Sequence, residues 1–257
     1  NLRVERFIPV GPPNTTRAFR FLTSAVDSNS SIYANWQESG NSPAGSGTHI
    51  TGDINGANGF DASVSGNPSM YTFDNTFTGP DQSNAWEAIP NTDNTNLIAG
   101  KAYRIFIRGD RNYDLASNPA NAPNSDVTLR ATGSLVIGDK TETLSDVGGY
   151  YSMVGNPYQA NVNINNVTGS NFNTNAYYVW DPNMSTRGAY VTVSLPTGNN
   201  SGTSFANKFV QPGQSFFVQT LSGGGSADLT FSETAKDVVA LPTDVFSNNN
   251  QTSINLL

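Results

Sequence analysis

Apolar residues in this chain recur at helical spacing only over residues 30–36, enough for one or two turns. Short runs alternating between two faces occur instead from end to end. The clearest is 101–108, where Tyr103, Ile105 and Ile107 point one way and Arg104, Phe106 and Arg108 the other. Comparable runs cover 19–23, 127–137 (a bent strand or a hairpin around Gly133), 150–154, 176–180, 188–193, 214–219 and 228–231. The spacers are rich in Asn, Gly, Pro and Ser, which set the backbone angles of turns; one such run is Gly11-Pro12-Pro13-Asn14. Many short strands separated by turns predict an all-β sandwich or barrel rather than βαβ units.

Composition narrows the function. Charged residues make up 13% of the 257, against about 25% in an ordinary soluble chain. Their place is taken by 33 Asn, 24 Gly and many Ser and Thr. With 14 Phe and 10 Tyr the chain has ample material for a core. A net charge of −7 speaks against nucleic acid, whose binders present a basic face. No run of 18 apolar residues predicts membrane insertion. The lack of Cys removes disulfides and thiolate metal sites, and His49 is a lone imidazole. An uncharged polar surface without Cys predicts an extracellular or cell-surface location, as on a bacterial envelope. Six Asn-x-Ser/Thr sequons, at Asn14, Asn29, Asn166, Asn183, Asn199 and Asn250, are what so much Asn and Thr gives by chance. The strand-like character of both ends suggests a fragment of a longer chain, with 253–257 pairing inside the fold as the last strand.

An internal repeat organises the rest. Residues 97–106 (LIAGKAYRIF) align with 209–218 (FVQPGQSFFV), each a Gly-led turn running into an aromatic strand. Residues 126–129 match 228–231 downstream, and 19–26 match 150–157 upstream, Phe19 falling on Tyr150. The reading is two tandem, related, antiparallel β-sandwich or jelly-roll-like modules at 1–140 and 150–257, divided near 139–149. Within them Gly155-Asn156-Pro157 predicts a tight corner, Pro212-Gly213 a type II turn, and Trp180-Asp181-Pro182-Asn183 an Asx turn.

The strings Met153-Val154-Gly155-Asn156-Pro157-Tyr158, Tyr178-Val179-Trp180-Asp181-Pro182, Gly188-Ala189-Tyr190 and 210–218 resemble a recurrent β-rich module of secreted Bacteroidota proteins, found just before a type IX secretion sorting domain. In the first half, 4–9, 47–52, 59–61, 67–69 and 108–111 resemble segments of large surface proteins of gliding Flavobacteria. The resemblance spans nearly the whole chain and rests on turn and strand signatures. It implies a β-sandwich, export by the type IX machinery, and other surface proteins or glycans as partners.

Chemistry is sparse. No Gly-x-Ser-x-Gly elbow, phosphate loop or dinucleotide fingerprint occurs, so catalysis is not expected, and His49 reads as a locally bonded turn or strand histidine. Asp53, Asn55, Asn58 and Asp61 set oxygen-bearing side chains on a Gly-rich loop, a pattern that suits calcium without matching an EF-hand; 110–114 is a weaker second loop. Among three Trp, Trp86 sits in a polar segment and is the candidate platform for a sugar ring, whereas Trp36 and Trp180 read as core. The expected function is a non-catalytic extracellular segment in adhesion or surface assembly. The alternative is a carbohydrate-binding accessory module of a secreted polysaccharide-degrading enzyme.

Overall fold

The computed structural model describes residues 1–9, 17–117, 125–239 and, as backbone, 252–256. The turn run at 11–14 and the sequons at Asn14 and Asn250 lie outside the described residues. The described chain is all-β, with 38% strand and no α-helix. Its first strands are β1 (Leu2–Ile8), β2 (Ala18–Leu22), β3 (Val26–Asp27), β4 (Met70–Phe73), β5 (Trp86–Ala88), β6 (Tyr103–Ile107) and β7 (Val127–Leu135). There follow β8 (Lys140–Thr143), β9 (Tyr151–Gly155), β10 (Asn161–Asn163), β11 (Thr168–Ser170), β12 (Ala176–Asp181) and β13 (Ala189–Ser194). The last are β14 (Asn199–Asn200), β15 (Phe209–Val210), β16 (Ser215–Gln219), β17 (Asp228–Phe231), β18 (Lys236–Asp237) and β19 (Thr252–Leu256).

Five antiparallel sheets form from these, none closed into a barrel. In the first half, β19-β1-β7-β3 faces β2-β6-β4-β5. The inward residues of both sheets, among them Val4, Leu22, Met70, Ile105 and Leu129, share one core with Trp36 and Phe60. In the second half, β14-β13-β12-β16-β9 packs over β11-β17-β8 and β15-β10-β18, around Val154, Tyr177, Val191, Phe216, Leu229 and Phe231. β19 pairs along β1 from Leu2↔Leu256 to Arg6↔Thr252, so residues 252–256 lie in the sheet of the first half.

The strand order repeats. Start strand, Gly-led strand and two insert strands run β2-β6-β4-β5 in one half and β9-β16-β12-β13 in the other. The closing strand lies between its partners as β1-β7-β3 and as β8-β17-β11. β8 is therefore the counterpart of β1, and the repeat begins at Lys140, inside the stretch that the sequence treats as a divider. The register of the repeat is also one residue off the alignment made from sequence. Leu22 pairs with Tyr103 and Val154 with Phe216, each the third residue after its turn Gly, so Leu22 corresponds to Val154 rather than Met153. A slip of one residue exchanges the two faces of a strand, so only the pairing fixes which face is which.

The turn chemistry follows the local sequence. The Gln214 N–H donates to Gln211 O at 3.2 Å across Pro212-Gly213, with Gly213 at φ 73°. Lys101 N–H donates likewise to Ile98 O at 3.2 Å, with Gly100 at φ 82°. Asn156, fully buried, donates to Ala160 O at 2.8 Å and Val210 O at 3.1 Å and accepts from Tyr158 N–H at 2.9 Å.

These two Gly-led turns also join the halves. Thr23 N–H donates to Gly213 O at 3.0 Å, and its counterpart Gly155 N–H donates to Gly100 O at 2.9 Å. Arg6, buried from β1, reaches across to Pro212 O at 3.0 Å and to Gln211 Oε1. Burial lowers its guanidinium to about 9. A Cβ at Gly155 would meet the Thr23 Cβ at 2.6 Å and Gly100 O at 2.7 Å. Gly155→Ala is therefore expected to push the halves apart and lower stability by about 1–3 kcal/mol, read from urea midpoints. A midpoint equal to wild type would show that the junction yields.

Candidate functional site

Strand periodicity builds the site. On β9, β16, β12 and β13 the inward parity carries Val154, Phe216, Val218, Tyr177, Val179, Val191 and Val193, all buried in the second core. The opposite parity therefore presents Tyr151, Phe217, Tyr178, Trp180, Tyr190 and Thr192 on the outer face. The sheet β2-β6-β4-β5 of the first half covers part of this face, with Phe21, Phe73 and Trp86 supplied by β2, β4 and β5. Phe21 is the pivot: it is 2% exposed, stacks on Trp180 at 5.7 Å, and meets Phe217 edge-on at 5.7 Å.

The uncovered remainder is a cleft of about 510 Å³ lined by Phe73, Gln82, Ser83, Trp86, Tyr151, Tyr178, Tyr190, Thr192 and Phe217. Phe73 fixes Trp86 from below (5.0 Å, 77°), and Phe217 stands edge-on to Trp86 at 6.0 Å. Tyr178 meets Tyr151 at 5.1 Å and 83°. Desolvation, and then the neighbouring Tyr151, push the Tyr178 phenol above its ordinary range, so it remains a neutral hydroxyl. Tyr190 is 56% exposed, with its ring held edge-on against Trp180 at 5.0 Å. The loop between β4 and β5 is clamped on the edge of β9. Asn75 accepts from Met153 N–H at 2.8 Å and donates to its carbonyl at 3.2 Å. Gln82 does the same for Tyr151, at 2.9 and 3.0 Å. Two side-chain amides thus stand where a neighbouring strand would pair, and they fix one wall of the cleft.

Trp86, the sequence candidate, lies in this cleft, half-buried at the start of an edge strand. Trp36 is core, at 3% exposure. Trp180 differs from expectation. It lies on the outer face between the halves, donating from Nε1 to Phe19 O at 3.0 Å, because it shares the parity of Tyr178 and not that of Val179. The sequence does not single out the aromatic partners Tyr151, Tyr178, Tyr190 and Phe217 as site residues. The available signal was the aromatic on the second parity of 177–180 and 190–192.

The four loop residues proposed for calcium turn to different tasks. Asp53 Oδ1 accepts from Asn55 N–H at 2.7 Å and Ala57 N–H at 3.3 Å, capping its own turn. Asn58 adopts φ 58° and its carbonyl accepts from Thr92 N–H at 2.9 Å; Asn55 and Asn58 side chains face solvent. Asp61 Oδ2 points inward to Arg111 Nη1 at 2.5 Å, Gln37 Nε2 at 3.0 Å and Ile50 N–H at 2.9 Å. His49 is buried beside it, with Nδ1 at 3.6 Å. In the second loop, Asp110 accepts from Gly45 N–H at 2.8 Å, and Asp114 from Ala116 N–H at 2.9 Å. Among the described residues no three His, Asp or Glu side chains gather as a metal site.

Fold and site together define an all-β chain of two repeated sandwiches with an aromatic cleft at their junction. No family model, curated protein or solved structure matches it.

Proposed function

We propose that this chain is a non-catalytic saccharide-binding segment of an exported protein, and that the cleft between its halves is the binding site. The observation that carries the reading is the lining itself: rings of Trp86, Tyr178 and Tyr190 beside the polar ends of Gln82, Ser83 and Thr192. Apolar sugar faces pack on rings while hydroxyls meet amide, phenol and hydroxyl groups, the usual division of labour in a ligand site. Its volume falls within the roughly 300–1,000 Å³ of small-ligand pockets. The lining contains no Asp, Glu or His, which supports binding over hydrolysis, since glycosidases need two opposed carboxylates. The low charge and the resemblance to Bacteroidota surface modules support an extracellular setting reached by type IX secretion. The same cleft serves an adhesin at the cell surface or an accessory module beside a polysaccharide-degrading enzyme.

The test is a glycan array followed by calorimetric titration of the best binder. Trp86→Ala is expected to weaken binding about thirtyfold, the loss of about 2 kcal/mol that marks a central aromatic contact. Tyr190→Ala, at an exposed position, checks the same site with little effect on folding. Full affinity in both variants would place any binding elsewhere.

A further inference from the structure

We infer that the cleft takes an anionic saccharide, one carrying carboxylate or sulfate, and that Arg104 is the group that recognises the charge. This rests on the saccharide reading above and specifies its ligand class. Arg104 leaves β6 on the outward parity, between the inward Tyr103 and Ile105. Its guanidinium carbon lies over Phe19 at 4.0 Å from the ring centroid, and 5.1 Å from that of Trp86 and 5.5 Å from that of Tyr71. Three rings thus hold a half-buried cation in place. Among the described residues it has these ring contacts and neither a hydrogen bond nor an ion pair, although guanidinium offers five N–H donors.

Position connects this cation to the cleft. Trp86 is shared by both, and the charge of Arg104 acts on the phenol of Tyr190, on the opposite wall. Desolvation raises that phenol and Arg104 pulls it back. Arg104 itself is lowered by desolvation and supported by Tyr190 and Tyr71. The acids flanking the loop do not compete for it. Asp74 accepts from Thr76 N–H at 2.8 Å, Asp81 accepts from Ser83 N–H at 2.9 Å, and Glu87 alternates to the other face of β5 and is exposed. In a chain of net charge −7, an aromatic wall flanked by an unpaired, ring-clamped guanidinium is a local exception. A planar fork of donors held beside a sugar-stacking ring matches the edge of a carboxylate or sulfate group.

The experiment titrates the intact chain with oligogalacturonate, with its methyl-esterified neutral form, and with a sulfated carrageenan oligosaccharide. An anionic probe is expected to bind about tenfold more tightly than the neutral one. That preference should shrink as salt rises from about 50 to about 300 mM. Oligogalacturonate ahead of carrageenan identifies a carboxylated ligand, and the reverse order a sulfated one. Arg104→Gln is expected to remove the preference, bringing the anionic and neutral probes to equal affinity within the variant, with Arg104→Lys in between because it keeps charge without the fork. Equal affinity of wild type for neutral and charged probes, or no salt dependence, would overturn the assignment of charge while leaving the saccharide reading standing. Binding of none of the probes, with none on the array, would remove both.

Discussion

Replacing Phe21 with Ala is expected to lower the stability of the chain by about 3–5 kcal/mol, the range for emptying a fully buried Phe site. The ring sits where the two halves meet and contacts Trp86, Trp180, Tyr190 and Phe217, with centroids at 5.7 to 5.9 Å. Its removal strips one side from each of those rings. For a chain of this size a loss of that order lowers Tm by roughly 10 °C. Hydrogen bonds at Thr23, Gly155, Asn75, Gln82 and Trp180 continue to span the junction, so the halves are expected to stay attached while the cleft loosens. Calorimetry should therefore show a lower and broader transition, and saccharide titration a weaker site. A Tm within about 2 °C of wild type would mean that the aromatic junction adds little beyond those hydrogen bonds.

Phe21 also marks the limit of what the sequence discloses. Its strand is legible from 19–23, and so are the Gly-led turns at Gly100 and Gly213, because turn type follows from local φ preference. The Asx turn is likewise local: Asn183 N–H donates to Asp181 Oδ1 at 2.8 Å. Facing is another matter. In Tyr177-Tyr178-Val179-Trp180 both parities are apolar, and alternation cannot tell which enters a core when each side meets one. For the same reason Trp180 reads as interior, and the repeat aligns one residue off its true register. The cleft draws Phe73 and Trp86 from one repeat and residues 151–217 from the other, so its existence depends on how two sheets pack. Only Trp86, in its polar surroundings, stands out in the sequence. The Asp-Asn-Gly loop at 53–61 shows a related ambiguity. Spacing that suits ion ligands also suits turn caps, and the partner of Asp61 comes from Arg111, fifty positions onward.

That pairing carries the second large effect. Asp61→Ala is expected to cost about 3–5 kcal/mol, because it leaves the Arg111 cation, 5% exposed, without its counter-charge. It also takes the acceptor from Gln37 Nε2 and Ile50 N–H. Asp61→Asn keeps the shape and one acceptor, so its smaller cost isolates the charge. Burial alone would raise the Asp61 carboxyl, but the His49 and Arg111 contacts outweigh it and hold the group below its ordinary range. A carboxylate whose folded pKa is lowered adds stability that is fully present above the unfolded value of about 3.9. That stability is lost as pH falls through the lower folded value. Urea midpoints measured between about pH 2 and pH 7 should show wild type and Asp61→Asn converging on the acid side and separated by the full, constant gap above about pH 5. A constant gap at every pH would show that Asp61 acts through its hydrogen-bond geometry, with its charge contributing nothing to the fold.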